Sequence, residues 1–150
     1  MYVKWINRKG KQEIINMKIA LDSGNELVYP VISTNVVDEL KIMGVIPKTI
    51  KLKHSKAQVF SAAGEDMAMR GILAYRIPIQ TKNEQQLPFK KYYVVDNLVN
   101  DINLGKSPLT QLNCKWTFKE DEVSVLEERM KLSPSRPMSS SCQVQTLITK

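Results

Sequence analysis

Short β-prone runs, each stopped by turn chemistry, recur along most of this 150-residue chain, and only one stretch carries clear helical spacing. That pattern is the strongest constraint on the fold, because alternation broken by turns favours paired strands over packed helices. YVKWI (residues 2–6) and EIINMKIAL (13–21) read as two strands around a hairpin turn at NRKGK, residues 7–11. IKLK (50–53), QVFS (58–61), MAMRGILAYRIPI (67–79) and LPFKKYYVV (87–95) continue the series, with Gly71 as a bulge or kink and Pro88 at a strand start or edge. Residues 114–118 and 123–126 are the last strand candidates. The exception is 34–43. There Val36, Val37, Leu40 and Met43 share one helix face, Ser33 or Thr34 can cap the start, and Gly44 and Pro47 end it. A short second helix is expected near 108–113, capped by Ser107, with Pro108 in its first position and Leu109 and Leu112 facing inward.

The composition changes after residue 126, where SPSRPMSSS is rich in Ser and Pro. The chain therefore divides into a folded domain, 1–126, and a tail, 127–150, expected to be disordered or a linker. A hydrophobic content of 43% suffices for a core. No apolar run approaches the roughly 18 residues of a membrane span, and MYVKWINRKGKQ lacks a signal core. These features, with only Cys114 and Cys142 and no disulfide or metal spacing, read as a cytoplasmic protein or one within an intracellular particle. His54 is the single histidine, which excludes a histidine-rich metal site. The net charge is +7, and the densest basic run is KTIKLKHSK, 48–56. Its lysines at 51 and 53 flank Leu52 as on the exposed face of a strand, and no aromatics interleave.

The apolar run 17–21 ends abruptly in Asp22-Ser23-Gly24-Asn25. Such residues make a good turn. They also suit a catalytic carboxylate at the end of a strand. Two carboxylates held close share one proton, because both cannot ionise cheaply. The ionised one takes a proton from water, the protonated one polarises the scissile carbonyl, and no metal or cofactor is needed. In that chemistry the hydroxyl of Ser23 stabilises the loop backbone, and Gly24 lets two loops approach closely.

MKIALDSGN resembles the catalytic strand and loop of the retropepsins, the aspartic proteases of retroviruses and retrotransposons. VISTNVVDELKIMG is similar to the strand and helix that follow it. FSAAGEDMAMRG resembles the hairpin flap, and VVDNLVNDINLGKSPLTQLN the late strand, the apolar-Gly element and its helix. The resemblance spans residues 2–126 and is nearest to metazoan retroelement proteases carrying Asp-Ser-Gly-Asn. Two positions depart from the pattern: Asn25 stands where Ser, Thr or Ala is usual, and Asn103 where an apolar residue is usual. The resemblance implies an all-β fold, a closed barrel with one amphipathic and one short helix, and an active site at a two-fold dimer interface. It implies an aspartic endopeptidase acting on polyprotein peptides, with Asp22 catalytic and Ser23, Gly24 and Asn25 forming its loop. Ala63, Gly64 and Glu65 of the flap, with Leu104 and Gly105, would contact substrate. No cofactor, metal, nucleic acid or membrane is implied. Asp38, Asp66, Asp96, Asp101 and Asp121 lack the Ser/Thr-Gly sequel, so the second carboxylate has to come from a second copy.

Three alternatives remain open on the sequence: a retropepsin-like dimer without activity, a bacterial sporulation-type aspartic protease, and a basic nucleic-acid-binding module. His54 reads as a solvent-exposed residue, Cys114 as a core sulfur, and Trp5 and Trp116 as core or dimer contacts. Gly64 fits a plain turn or a substrate contact.

Overall fold

The computed structural model describes residues 1–132 except 62, 118, 119 and 121. Its elements are β1 (Tyr2–Ile6), β2 (Gln12–Asn16), β3 (Ile19–Leu21), β4 (Val31–Ser33), α1 (Thr34–Met43), β5 (Val59–Phe60), β6 (Asp66–Met67), β7 (Met69–Leu73), β8 (Ile79–Gln80), β9 (Tyr92–Val95), β10 (Ile102–Leu104), α2 (Lys106–Gln111), β11 (Lys115–Thr117), β12 (Glu122–Val125) and β13 (Glu128–Lys131). The chain is mainly β with two helices, as expected. The strands form open sheets in the orders β2-β1-β8, β3-β10-β4-β9-β7, β11-β12-β13 and β5-β6. None closes on itself among the described residues, so the expected closed barrel is replaced by separate sheets packed together.

The β1–β2 hairpin forms where the turn residues placed it. Asn7 Oδ1 accepts from the amides of Lys9 and Lys11. The run expected as one strand, 13–21, instead serves two sheets. β2 pairs with β1, the chain breaks at Met17-Lys18, and β3 pairs parallel with β10. No glycine or proline marks the break. It is set from far away: the Asp101 carboxylate accepts the Lys18 amide at 2.7 Å, while the Lys18 carbonyl accepts from Asp101 and Ile102.

The five-stranded sheet has two clothed faces. Leu21, Ile32, Val94, Ile102 and Leu104 enter the main core with Val36, Val37 and Leu40 of α1. Fully burying such side chains stabilises by about 1.5–3 kcal/mol each. On the other face Val31, Tyr93 and Val95 pack with Val59 of β5, helped by Leu27, Tyr29, Met69, Ile72 and Leu98. Strand alternation assigns Asn103 to this second face, opposite Ala20 on one side and Val31 on the other.

Helix α1 spans the expected residues, and Gly44 closes it in the left-handed region at φ 85°. Ser33 occupies the N-cap position without a capping bond. Thr34 instead donates its hydroxyl to Asp96 at 2.6 Å. Helix α2 starts earlier than expected, with Gly105 rather than Ser107 at its N-cap and Pro108 third in the helix. Leu109 and Leu112 are buried as anticipated. Gly71 sits at a bulge between β7 and β9, at φ 144°. A Cβ there would lie 2.8 Å from the Lys53 carbonyl oxygen, on the segment that bridges to Ile72. That bridge is all that forms of the strand expected at 50–53. In the 87–95 run the Leu87 amide donates to the Ile79 carbonyl, Pro88 has no amide to continue that pairing, and a strand resumes only at Tyr92. Strand β13 pairs with β12 through Glu122↔Lys131 to Val125↔Glu128, so the expected boundary at 126 falls inside a hairpin. The Ser/Pro-rich stretch expected to be disordered lies, from residue 133, outside the described residues. Among the described residues no helix is long and apolar enough to cross a membrane.

Candidate active site

Strands β3 and β4 flank the Asp22 loop but do not pair. Strand β10 lies between them, parallel to β3 and antiparallel to β4. The loop must therefore step across a whole strand, roughly 9–10 Å at ordinary spacing. This explains why an apolar strand stops at Leu21 and reappears only at Val31: the intervening residues are a bridge over β10.

That bridge is held at both ends. The Asp22 amide donates to the Leu104 carbonyl at 2.9 Å, extending the β3–β10 ladder by one residue. Asp22 Oδ1 accepts the Gly24 amide at 3.1 Å, and the Asp22 carbonyl accepts the Asn25 amide at 3.1 Å. The loop is thus the tight turn its composition suggested, and it carries a half-buried carboxylate at the edge of the core. Ser23 is exposed, and its hydroxyl makes no hydrogen bond among the described residues, so the backbone support expected of it falls to Asn25.

Asn25 uses every polar group it has. Its amide donates to Asp22, its Oδ1 accepts the Leu27 amide at 2.8 Å, and its carbonyl accepts the Lys106 amide at 2.7 Å. Its Nδ2 donates to Asn103 Oδ1 at 3.0 Å. The two asparagines that depart from the family pattern are therefore partners. Asn103 is only 5% exposed, and a buried amide group requires such a partner. Beside them Gly105 is obligatory for space: a Cβ there would strike the Asn25 carbonyl oxygen and lie 2.8 Å from Asn25 Cγ. The structure thus joins Asp22, Gly24, Asn25, Leu104 and Gly105 in one cluster. Asn103, marked in the sequence only as a departure from the pattern, and the Lys106 amide are the members not expected at the site. The polar interruption in Ile-Asn-Leu-Gly was their visible trace.

The expected flap residues lie elsewhere. Strands β5 and β6 pair through Val59↔Met67 and Phe60↔Asp66, and Ser61 organises the turn by accepting from Gly64 and Glu65. Ala63, Gly64 and Glu65 are exposed at the tip, and among the described residues no hydrogen bond links them to the Asp22 loop. The hairpin is braced at its base rather than its tip. Arg70 of β7 clasps Asp96 through Nε and Nη2, at 2.9 and 2.5 Å, and Asp96 also holds Thr34. The hydrogen bonds from Arg70, then from Thr34, hold the Asp96 carboxyl below its ordinary pKa.

The remaining candidates behave as structural residues. His54 is exposed in the basic segment. Cys114 is half-buried against the core, and burial pushes its thiol up to about 11, which leaves it unreactive. Trp5 and Trp116 pack on the core. No group of three His, Cys, Asp or Glu side chains among the described residues could hold a metal ion. A shallow open hollow beside the loop, lined by Glu26, Lys106, Ser107, Thr110 and Gln111, offers no apolar anchor for a small ligand.

No family model and no curated protein matches the chain. Among solved structures it is similar to the retroviral protease-like domain of Ddi1 from Leishmania major. The match has a TM-score of 0.55 at 13% identity and covers 89% of this chain and 90% of that one. The likeness therefore runs through nearly the whole of both chains while little of the sequence is shared, and the fold is retropepsin-like.

Proposed function

We propose that the chain is an aspartic endopeptidase, active as a homodimer in which two copies of Asp22 face each other across a two-fold axis. The observation that carries this reading is the placement of Asp22. A lone Asp-Ser-Gly carboxylate sits at the end of a core strand, in a loop fixed by β10, within a retropepsin-like fold. The other described aspartates have separate situations. Asp96 is held by Arg70, Asp101 by the Lys18 amide, Asp38 lies on α1 and Asp66 in the β5–β6 hairpin. One copy thus supplies one half of the site.

In the proposed reaction one Asp22 is ionised and the other protonated. The ionised carboxylate removes a proton from water as its oxygen bonds to the substrate carbonyl carbon. The protonated carboxyl donates a hydrogen bond, then its proton, to the carbonyl oxygen. The C–N bond then breaks as the leaving nitrogen takes the proton held by the first carboxyl, while a hydroxyl of the tetrahedral intermediate returns its proton to the second as the carbonyl re-forms. An extended peptide would lie in a cleft on the axis, running across it beneath the β5–β6 hairpins, with Ala63, Gly64 and Glu65 above it and Leu104 and Gly105 below. Polyprotein substrates and a retroelement origin are the finer part of this reading, supported by the sequence resemblance.

Cleavage of a peptide library at mildly acidic pH, followed against protein concentration, tests it. Specific activity should rise with concentration as copies pair, and Asp22→Asn should abolish turnover while preserving the circular dichroism spectrum. Concentration-independent activity, or cleavage by Asp22→Asn at the wild-type rate, would exclude the proposal. A well-folded dimer that cleaves nothing would instead favour the inactive alternative.

A further inference from the structure

We propose that Asn103 is a positioning residue, which sets the shape of the Asp22 loop through its hydrogen bond to Asn25. Asn103 does not touch Asp22 by any hydrogen bond. It receives Nδ2 of Asn25 at 3.0 Å, and Asn25 in turn binds the Asp22 carbonyl, the Leu27 amide and the Lys106 amide. Every polar atom of Asn25 is therefore committed, and its side chain can take only one orientation while Asn103 accepts from it. Asn103 is itself fixed. It lies in the middle of β10, flanked by Ala20 and Val31, and is 95% buried on a face otherwise built of apolar residues. A polar side chain placed there without a partner would be costly, and the partner it has is the loop. The orientation of a reacting group is a large lever on rate, since a displacement of about 1 Å can cost about a hundredfold. Support from behind the reacting residue is the usual way such precision is kept.

The test compares Asn103→Leu with Asn103→Asp in the full chain. Leucine suits the apolar face but cannot accept from Asn25, whereas aspartate keeps an oxygen in the same place. Amide hydrogen exchange is read by NMR at Leu27 and Lys106, whose acceptors are atoms of Asn25. In Asn103→Leu both amides should exchange at least about tenfold faster than in the wild type while amides of α1 are unchanged, and Asn103→Asp should restore most of the protection. The kinetic arm rests on the peptidase reading. There kcat should fall about tenfold in Asn103→Leu with KM within about twofold, and recover in Asn103→Asp. A wild type that cleaves no peptide sinks the peptidase reading alone, and this inference then stands or falls on exchange. Unchanged exchange at Leu27 and Lys106 in Asn103→Leu overturns it. So does lost protection with an unaltered kcat. Should Asn103→Leu fail to fold, Asn103→Ala removes the same acceptor without filling the space and carries the same outcomes.

Discussion

Gly105 shows how much a single missing methyl group decides. Its neighbours leave no room for a Cβ, because the Asn25 carbonyl and side chain press against it while the Lys106 amide bonds that same carbonyl. Gly105→Ala should therefore push the Asp22 loop off β10 and cost about 1–3 kcal/mol, in the range of an overpacked core. Denaturant unfolding of the wild type and variant measures that loss, and faster amide exchange at Asn25 and Leu27 would place it in the loop. Gly24 differs in kind. Within one chain an added Cβ would meet, among the described residues beyond its immediate neighbours, only Asp22 Oδ1, at an ordinary 3.4 Å. Gly24→Ala should thus leave the stability of a single chain within about 0.5 kcal/mol while weakening any association through that loop. Sedimentation and unfolding measured side by side would separate the two effects. Association left unchanged by the substitution would argue against the proposed contact of two such loops.

Among the elements, the clasp of Arg70 on Asp96 has a consequence for acid stability. Asp96 follows β9, Arg70 lies on β7 and Thr34 opens α1, so one carboxylate ties three elements. Its folded pKa is depressed, so the stability it confers is present above the ordinary carboxylate pKa of 3.8 and is lost as pH falls through the lower folded value. Asp96→Asn should be less stable than the wild type at neutral pH, and the gap should close on acidification below about pH 4. Unfolding curves for both proteins across that window check the sign. Elements with their own punctuation were legible in the sequence. Gly44 and Pro47 bounded α1, NRKGK marked the first hairpin, and Gly71 marked the bulge. Elements cut by distant partners were not. Nothing near Met17-Lys18 signals the switch from β2 to β3, because Asp101 imposes it. The start of α2 moved to Gly105 for a similar reason, since Lys106 is already bound to Asn25. In the site, Asp22 and its loop could be read locally. The link between Asn25 and Asn103 could not, because it exists only once β10 slides between β3 and β4.

For the whole molecule, the domain is longer than its composition suggests. Strand β13 covers β12, whose Val123 and Val125 are buried in the core, and Glu128 accepts the Asn83 amide from the loop after β8. A chain ending at 126 should melt roughly 5 °C or more below one ending at 132, because it strips a pairing strand from core residues. Calorimetry on the two chains decides it, and equal melting temperatures would put the boundary back at 126. The insertion of β10 between β3 and β4 also orders events in time. Asn25 and Asn103 stand 78 residues apart. On a ribosome adding about 5–20 residues per second, at least 4–16 s separate the synthesis of the Asp22 loop from that of the strand which shapes it. Throughout that interval the Asp22 carboxylate sits on a loop whose partner strand does not yet exist, so whatever chemistry the loop supports can begin only after β10 has been made.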